Sequence, residues 1–496
     1  MRKIIEMQLE FGQVDIPNIA IDFQSRDEIP QLLLGLQALY SDKSVRKKVF
    51  SILEELIPEG VDTRNGRPGM DLWKVLVLGT LRLNCNWDYD KTHEMANNHK
   101  TLREVMGHGV NDFELRYSLQ TIKDNISLLT PEILDRINTL IVEKGHMMFG
   151  HTDETGLKGR CDSFVVETDV HYPTDTNLLW DAIRKVITLL NQECARLGIT
   201  EWRQTDHLLK KIKKLFNRAR RLKHSNSKYA RKKAARAKQI IEAHQQYIDL
   251  ANLYVRRAKE SLNILSELGL GDIWRIMLIE NFIHHAERQI DQIYRRVAKD
   301  ETIPHDEKVF SLFEEHTEWI SKGKAGVPQE LGLKVCILED QLGFILHHQV
   351  MENQTDDQVA VAMVLEAKKK FAALNSCSFD KGFHSPSNQV VLSGLLDQAA
   401  LPRKGKLSSA AKEIEHSEEF IEARRQHSAV ESAINALENH ALDRCPDHGL
   451  TGFKRYVALA MLARNIQILG AKIQKKELQR LLRRKRAADT PRRKAA

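Results

Sequence analysis

Among the 67 acids of this 496-residue chain, three stand out for what surrounds them. Asp162 opens the run Asp162-Ser163-Phe164-Val165-Val166-Glu167-Thr168-Asp169-Val170, whose β-branched and aromatic residues read as a strand. Asp380 follows a second short strand, 376–379, and the Lys381-Gly382 turn after it lets a carboxylate face a groove. Glu431 lies in His427-Ser428-Ala429-Val430-Glu431-Ser432-Ala433-Ile434, a helix whose Val430, Ile434 and Leu437 face the body of the protein. Two strand ends and a helix can meet at one point. Carboxylates gathered in this way suit Mg²⁺, with Mn²⁺ as a substitute, because hard ions take oxygen ligands and keep several waters. Two such ions ~3.5–4 Å apart stabilise the attacking and leaving oxygens when a phosphodiester is cut or joined.

Strand parity narrows the choice of acid. Glu167 and Asp169 lie an odd number of residues from Asp162 and project from the opposite face, so one metal site cannot use all three. Asp169 and Asp175 remain competitors for the first position. Other catalytic signals are missing: the chain has no G-x-S-x-G elbow, no G-x-x-x-x-G-K-[ST] loop and no H-E-x-x-H. His347-His348 falls in a strand-like stretch where adjacent side chains diverge, which argues against a shared metal. The six cysteines have no CxxC or zinc-knuckle spacing and read as buried thiols of a reducing compartment.

The elements that must position these acids follow from the pattern of the rest. The first 150 residues read as short helices. One carries the stripe Val45, Val49, Ile52, Leu53, Leu56 and is stopped by Pro58; a loop with Gly60, Gly66, Pro68 and Gly69 follows, then an apolar helix from Asp71 and a polar one over 89–98. Short helices with tight polar turns suit a helix-turn-helix-like DNA-binding module. After the first strand, Tyr172-Pro173-Thr174-Asp175 makes a stop, and a charged helical pattern runs to about residue 318. Strand signals resume in 334–338 and 344–350, a hairpin about Gly343. Thr355-x-x-Gln358 is a capping box opening a helix through Lys370, and Ser385-Pro386 suits the cap and first turn of another. A short strand ends at Leu401-Pro402, and long helices are expected over 408–425, 427–439 and 453–486. With the helical insertion removed, the order predicts an α/β core of mixed sheet and flanking helices.

The charge of +8 is concentrated. Residues 210–238 hold fourteen Lys or Arg and no acid, and residues 471–496 hold eleven against Glu477 and Asp489. These two segments more than account for the excess, as polyanion contacts grafted onto an ordinary enzyme surface would. No apolar run reaches the ~18 residues of a membrane span, and Met1-Arg2-Lys3-Ile4-Ile5-Glu6 lacks a signal core, so a cytoplasmic protein is expected.

At several of these segments the chain resembles bacterial insertion-sequence transposases of the DDE superfamily, most closely the ISNCY-type group. The resemblance is carried by Asn65-Gly66-Arg67-Pro68-Gly69, Asp162 through Thr168, His171-Tyr172-Pro173-Thr174-Asp175, Lys322-Gly323-Lys324-Ala325-Gly326 with Gly332-Leu333-Lys334-Val335, Asp380-Lys381-Gly382-Phe383, His427 through Ser432, and Asp443-Arg444-Cys445-Pro446. It implies an RNase H-like catalytic core with Asp162, Asp380 and Glu431 as its metal-binding, catalytic triad. It also implies double-stranded DNA as partner, both terminal inverted repeats and target, a homodimer at synapsis, and a nucleoid-associated life in a bacterial cytoplasm. Related transposases often place Arg four residues before the final Glu and Lys seven after it; here those places hold His427 and Glu438, and Arg424 or Arg425 can stand in. Lys381, Arg403, Lys404 and Lys406 are further candidates for holding DNA phosphates. The expected organisation is a DNA-binding region over 1–150, the first strand over 151–180, a basic helical insertion over 181–320, the rest of the core over 321–470 and a basic tail over 471–496. The competing functions are a metal-dependent nuclease of the same fold that does not join DNA, and a non-catalytic DNA-binding protein.

Overall fold

A computed structural model describes residues 3–5, 9, 11–57, 69–150, 156–267, 272–321 and 329–489. The expected loop around Gly60 and Gly66, the Pro58 stop, the 65–68 part of the resemblance, the Lys322-to-Gly326 stretch and residues 490–496 of the basic tail lie outside the described residues. The protein is mixed α/β and mostly helical, with sixteen α-helices and a seven-stranded sheet among the described residues. It divides into two compact units, one made of residues 1–169 with 320–496 and the other of residues 170–319.

The first unit opens with seven helices: α1 (Glu28–Ser41), α2 (Lys43–Glu54), α3 (Leu72–Asn84), α4 (Tyr89–Asn98), α5 (Lys100–Val105), α6 (Leu119–Ile126) and α7 (Pro131–Phe149). Their starts are written in the sequence: the side chains of Asp27, Asp42, Asp88, Ser118 and Thr130 each accept a hydrogen bond from a first-turn amide. The first strand, β1 (Leu157–Thr168), lies at the centre of the sheet. The chain returns through β2 (Glu318–Ser321), β3 (Gln329–Asp340) and β4 (Ile345–Met351), then α12, β5 (Leu374–Phe379), α13, β6 (Gln398–Ala400), α14, α15, β7 (Arg444–Cys445) and α16. Before α12 the second unit contributes four helices, so α12 is Asp356–Lys370, α13 Pro386–Leu395, α14 Ser409–Glu415, α15 Glu418–Leu437 and α16 Gly449–Asp489.

The strand order is β2-β3-β1-β5-β6, with β4 also on β3 and β7 on β1. β3 and β4 form an antiparallel hairpin, β3 is antiparallel to β1, and β5 and β6 continue parallel on the other side of β1. The capping box at Thr355 and Gln358 is formed, and Ser385 caps α13 with Pro386 in its first turn. One apolar cluster joins this sheet to the helices on either side of it in sequence, from Leu32 and Trp73 through Val166 and Ile337 to Leu462 and Ile466. The first 150 residues therefore share a core with the sheet. Helices α1 and α16 touch backbone to backbone: a Cβ on Gly35 would run into the carbonyl of Ile466, and one on Gly470 into that of Gln31.

Three local expectations change. The first strand starts at Leu157, so Asp162 sits within it, paired with Ile337, and does not open it. The helix bearing Glu431 is continuous from Glu418 to Leu437; the break falls at His416-Ser417, where Ser417 caps α15, and not beside Gln426. The 471–489 part of the expected tail continues α16 as helix.

The second unit holds α8 (Asp175–Arg196), α9 (Thr205–Arg221), α10 (Ala230–Glu267) and α11 (Ile273–Ala298). It has its own core of Leu179, Ile183, Ile187, Tyr247, Ala251, Ile283 and their neighbours. The helical insertion thus begins at Asp175, just after the Tyr172-Pro173 stop, and not near residue 181. In α9 the buried Ile212, Phe216 and Ala219 repeat at helical spacing, which turns the basic residues of the run outward.

Candidate active site

Pairing between β1 and β5 ends at Cys161 and Phe379, so the next residues along the two parallel strands are Asp162 and Asp380. Asp380 keeps an extended backbone, with φ −75° and ψ 162°, before the tight turn Lys381–Phe383. Neighbouring strands are ~4.8 Å apart and opposed residues of a pair share a face, which sets the two carboxylates side by side where β5 stops. Helix α15 lies on the same face. His427 Nδ1 is 3.0 Å from the hydroxyl of Ser378, two residues before Asp380, and Glu431 is one helical turn beyond His427.

Electrostatics report the same convergence. Burial pushes the Asp162 carboxyl up to about 6, the Ser163 amide opposes this by donating to its Oδ1 at 2.7 Å, and the charges of Asp380, Asp356 and Glu431 raise it further. Burial holds His427 below its ordinary value while Asp380 and Glu431 pull it back up. Asp162 is half-buried, and Asp380 and Glu431 are exposed, so the group opens to solvent on one side.

Asp356, at the start of α12, is a fourth acid that the sequence reading missed. Its Oδ1 accepts from the Ser163 hydroxyl at 2.7 Å, and Lys334 Nζ lies 3.3 and 3.2 Å from its two oxygens. A Cβ on Gly382 would meet Asp356 Oδ2 at 2.9 Å, which puts this carboxylate against the turn that follows Asp380. The signal available was the Asp356-Asp357 pair directly after the capping Thr355, where acids are also expected simply because they favour a helix N-terminus.

The rival acids are engaged elsewhere. Glu167 and Asp169 share Arg444, at 3.2 and 3.6 Å, and Asp175 in the second unit takes both arms of Arg296 at 2.6 and 2.9 Å. Among the expected phosphate-holding residues, Lys381, Lys404, Lys406, Arg424 and Arg425 are exposed. Lys404 Nζ donates to the Gly382 carbonyl at 3.1 Å, which brings its loop against the Asp380 turn. Arg403 is half-buried, with its amide N–H donating to Glu415. His427 points at Ser378, and its Nε2 is buried with no hydrogen-bond partner among the described residues. Helix α3 of the expected helix-turn-helix-like region is buried from Leu72 to Asn84 except at Lys74, so it has no face to offer a DNA groove. His347 and His348 have ring centroids 6.2 Å apart, and burial lowers both pKa values.

As ligands, Asp162, Asp380, Glu431 and Asp356 offer only carboxylate oxygens, the donor chemistry of Mg²⁺ or Mn²⁺. Among the described residues, no three His, Cys, Asp or Glu side chains stand at the spacing of a formed metal site. The charges of Asp380, Asp356 and Glu431 raise the proton affinity of Asp162, and that repulsion is what a divalent cation neutralises. No family model, no curated protein and no solved structure matches this chain.

Proposed function

We propose that the protein is a DNA transposase of the DDE type, with an RNase H-like core formed by the sheet and helices of the first unit. The observation that carries this reading is the adjacency of Asp162 and Asp380 one step past the last β1–β5 pair, with Glu431 brought to the same face by α15. The sheet supports it, since an antiparallel hairpin on one side of β1 and parallel strands on the other, with helices packed on them, form the mixed core that the sequence resemblance implies.

In this reading Asp162, Asp380 and Glu431 hold the metal ions, and Asp356 adds negative charge beside them. Bound divalent ions supply stabilisation of both the attacking and the leaving oxygen of an in-line displacement. Lys381, Lys404 and Lys406 hold phosphates on the rim, and the outward basic face of α9, with Lys210, Lys213, Lys214, Arg218 and Arg221 around a shallow hollow, gives further backbone contacts without sequence choice. Cleavage leaves a free 3′ hydroxyl, and a second displacement by that hydroxyl joins it to target DNA. His427, kept neutral by burial, orients α15 through Ser378 and makes no phosphate contact.

The test is a strand-transfer assay with Mg²⁺ on DNA carrying the sequences that flank the protein's own gene. Cleaved ends that become joined to target DNA are expected, with Asp162→Asn, Asp380→Asn and Glu431→Gln each losing both products while retaining DNA binding. Cleavage with no joined product would replace this reading with a nuclease, and binding with neither product with a non-catalytic DNA-binding protein.

A further inference from the structure

The second unit contains a cavity of about 890 Å³, a size that falls within the ~300–1,000 Å³ of small-ligand sites. Part of its wall is Tyr172-Pro173-Thr174-Asp175, a segment that the carboxylate chemistry leaves without a role. Asp175 is clamped by Arg296, which fixes this wall to α11. The wall continues as an aromatic series. Tyr172 and Trp319 have ring centroids 5.6 Å apart at 70°, and Trp319 and Phe310 are 5.7 Å apart at 38°. Tyr172 is 59% exposed, which leaves ring surface for a further planar group. Arg220, Lys223 and Lys308 border the same cavity and are all exposed.

Gln289 of α11 is the deciding residue. It borders the cavity, is 0% exposed, and neither its Oε1 nor its Nε2 has a hydrogen-bond partner among the described residues. A buried amide left unpaired at both ends is costly, and native proteins seldom keep one without a group that completes it. The missing partner must offer a donor and an acceptor next to each other.

We propose that this cavity binds a nucleotide whose base is unpaired. The Watson–Crick edge of every base presents a donor beside an acceptor and so complements the amide of Gln289. The aromatic wall offers a stacking surface, worth ~1–3 kcal/mol per base at comparable sites, and the three exposed cations match the phosphate. A base in an intact duplex has this edge occupied by its partner, so duplex DNA is excluded on chemical grounds. The cavity is lined by residues of the second unit, whereas Asp162, Asp380, Glu431 and Asp356 belong to the first.

The test uses the full chain and the fluorescence of 2-aminopurine, which falls when the base stacks. Three probes are compared: 2-aminopurine deoxyribonucleoside monophosphate, a short oligothymidylate with one 2-aminopurine, and the same strand in a complete duplex. Quenching of the monophosphate identifies a free nucleotide as the ligand, and quenching of the single strand alone identifies an unpaired position in DNA. The duplex is expected to keep its fluorescence. Gln289→Leu should weaken binding about tenfold, the loss of one hydrogen bond's worth of affinity, while its thermal midpoint stays level or rises because an unpaired amide has been removed. Trp319→Leu should reduce the quenching. Asp162→Asn should bind the probe as wild type does, so failure of the phosphodiester reading would not be mistaken for failure of this one. Binding unchanged in Gln289→Leu, meaning that water completes the amide, or no quenching of either unpaired probe, would overturn the proposal.

Discussion

Single residues here are tuned by what they are buried against. His108 shows this outside the candidate site: it is nearly enclosed, its Nε2 lies 2.6 Å from the Tyr117 hydroxyl and its Nδ1 3.3 Å from Asp112. Burial, helped by the charges of Lys74 and Arg103, drops its pKa to about 4 from the ordinary 6.5. A depressed histidine stabilises the fold while neutral, so its contribution is full above pH 6.5 and is lost as pH falls through 6.5 towards 4. At ~1.4 kcal/mol per pKa unit the ceiling is about 3 kcal/mol. Denaturant unfolding at pH 7.0 and 4.5 should show a smaller pH-dependent loss in His108→Gln than in wild type; equal losses would show that His108 is not a source of acid sensitivity. At this scale the sequence was legible where a residue's role follows from local pattern. Strand parity separates Asp162 from Glu167 and Asp169, which share Arg444 instead. Asp356 was not legible, because its value comes from Ser163 and Lys334, about 193 and 22 residues away in the chain, and an Asp in a first helical turn already has an ordinary explanation.

Elements carry the site by register and by a small number of buried polar joints. The β1–β5 register puts Asp162 beside Asp380, and the Ser378–His427 contact sets α15 along the same face. Further from the site, Asn465 of α16 is completely buried and holds three elements together: its Nδ2 donates to Asn138 of α7 at 2.7 Å and to the Ile345 carbonyl of β4 at 2.9 Å, and its Oδ1 accepts from the Ile345 amide at 2.9 Å. Leucine there would leave the Ile345 N–H and the Asn138 carbonyl oxygen buried without partners. Asn465→Leu should therefore lower unfolding free energy by about 1–3 kcal/mol despite its greater hydrophobicity, measured by denaturant unfolding; equal or greater stability would mean that the joint is not needed. Caps and turns were readable at this scale. Asp71, Asp88, Thr355 and Ser385-Pro386 mark helix starts that the structure has, and Gly343, with φ +86°, turns the hairpin. The break near residue 426 was misplaced because Arg424-Arg425-Gln426-His427 is polar throughout, which resembles a loop, whereas it lies inside one long helix, with Arg424 and Arg425 exposed and His427 turned in to Ser378.

The whole molecule combines a sheet-centred unit carrying four acids with a helical unit carrying a basic face and a cavity. Composition revealed the second unit, because a long charged stretch without strand signals has to be helical if it folds. It did not reveal that the first 150 residues share a core with the sheet, since the contacts of α1, α3 and α7 with α16 join segments more than 300 residues apart, and no local pattern encodes such pairings. That shared core supports the acids, as a site assembled from the middle of one strand, the end of another and a helix requires. In the proposed function Asp162, Asp380 and Glu431 together hold divalent ions. Mn²⁺ binding to the full chain, followed by electron paramagnetic resonance as loss of the free-ion signal, tests it most directly. The prediction is that Asp162→Asn, Asp380→Asn and Glu431→Gln each weaken binding by at least about tenfold, while Asp169→Asn binds as wild type does. Unchanged binding in those three variants, or a loss confined to Asp169→Asn, would contradict it.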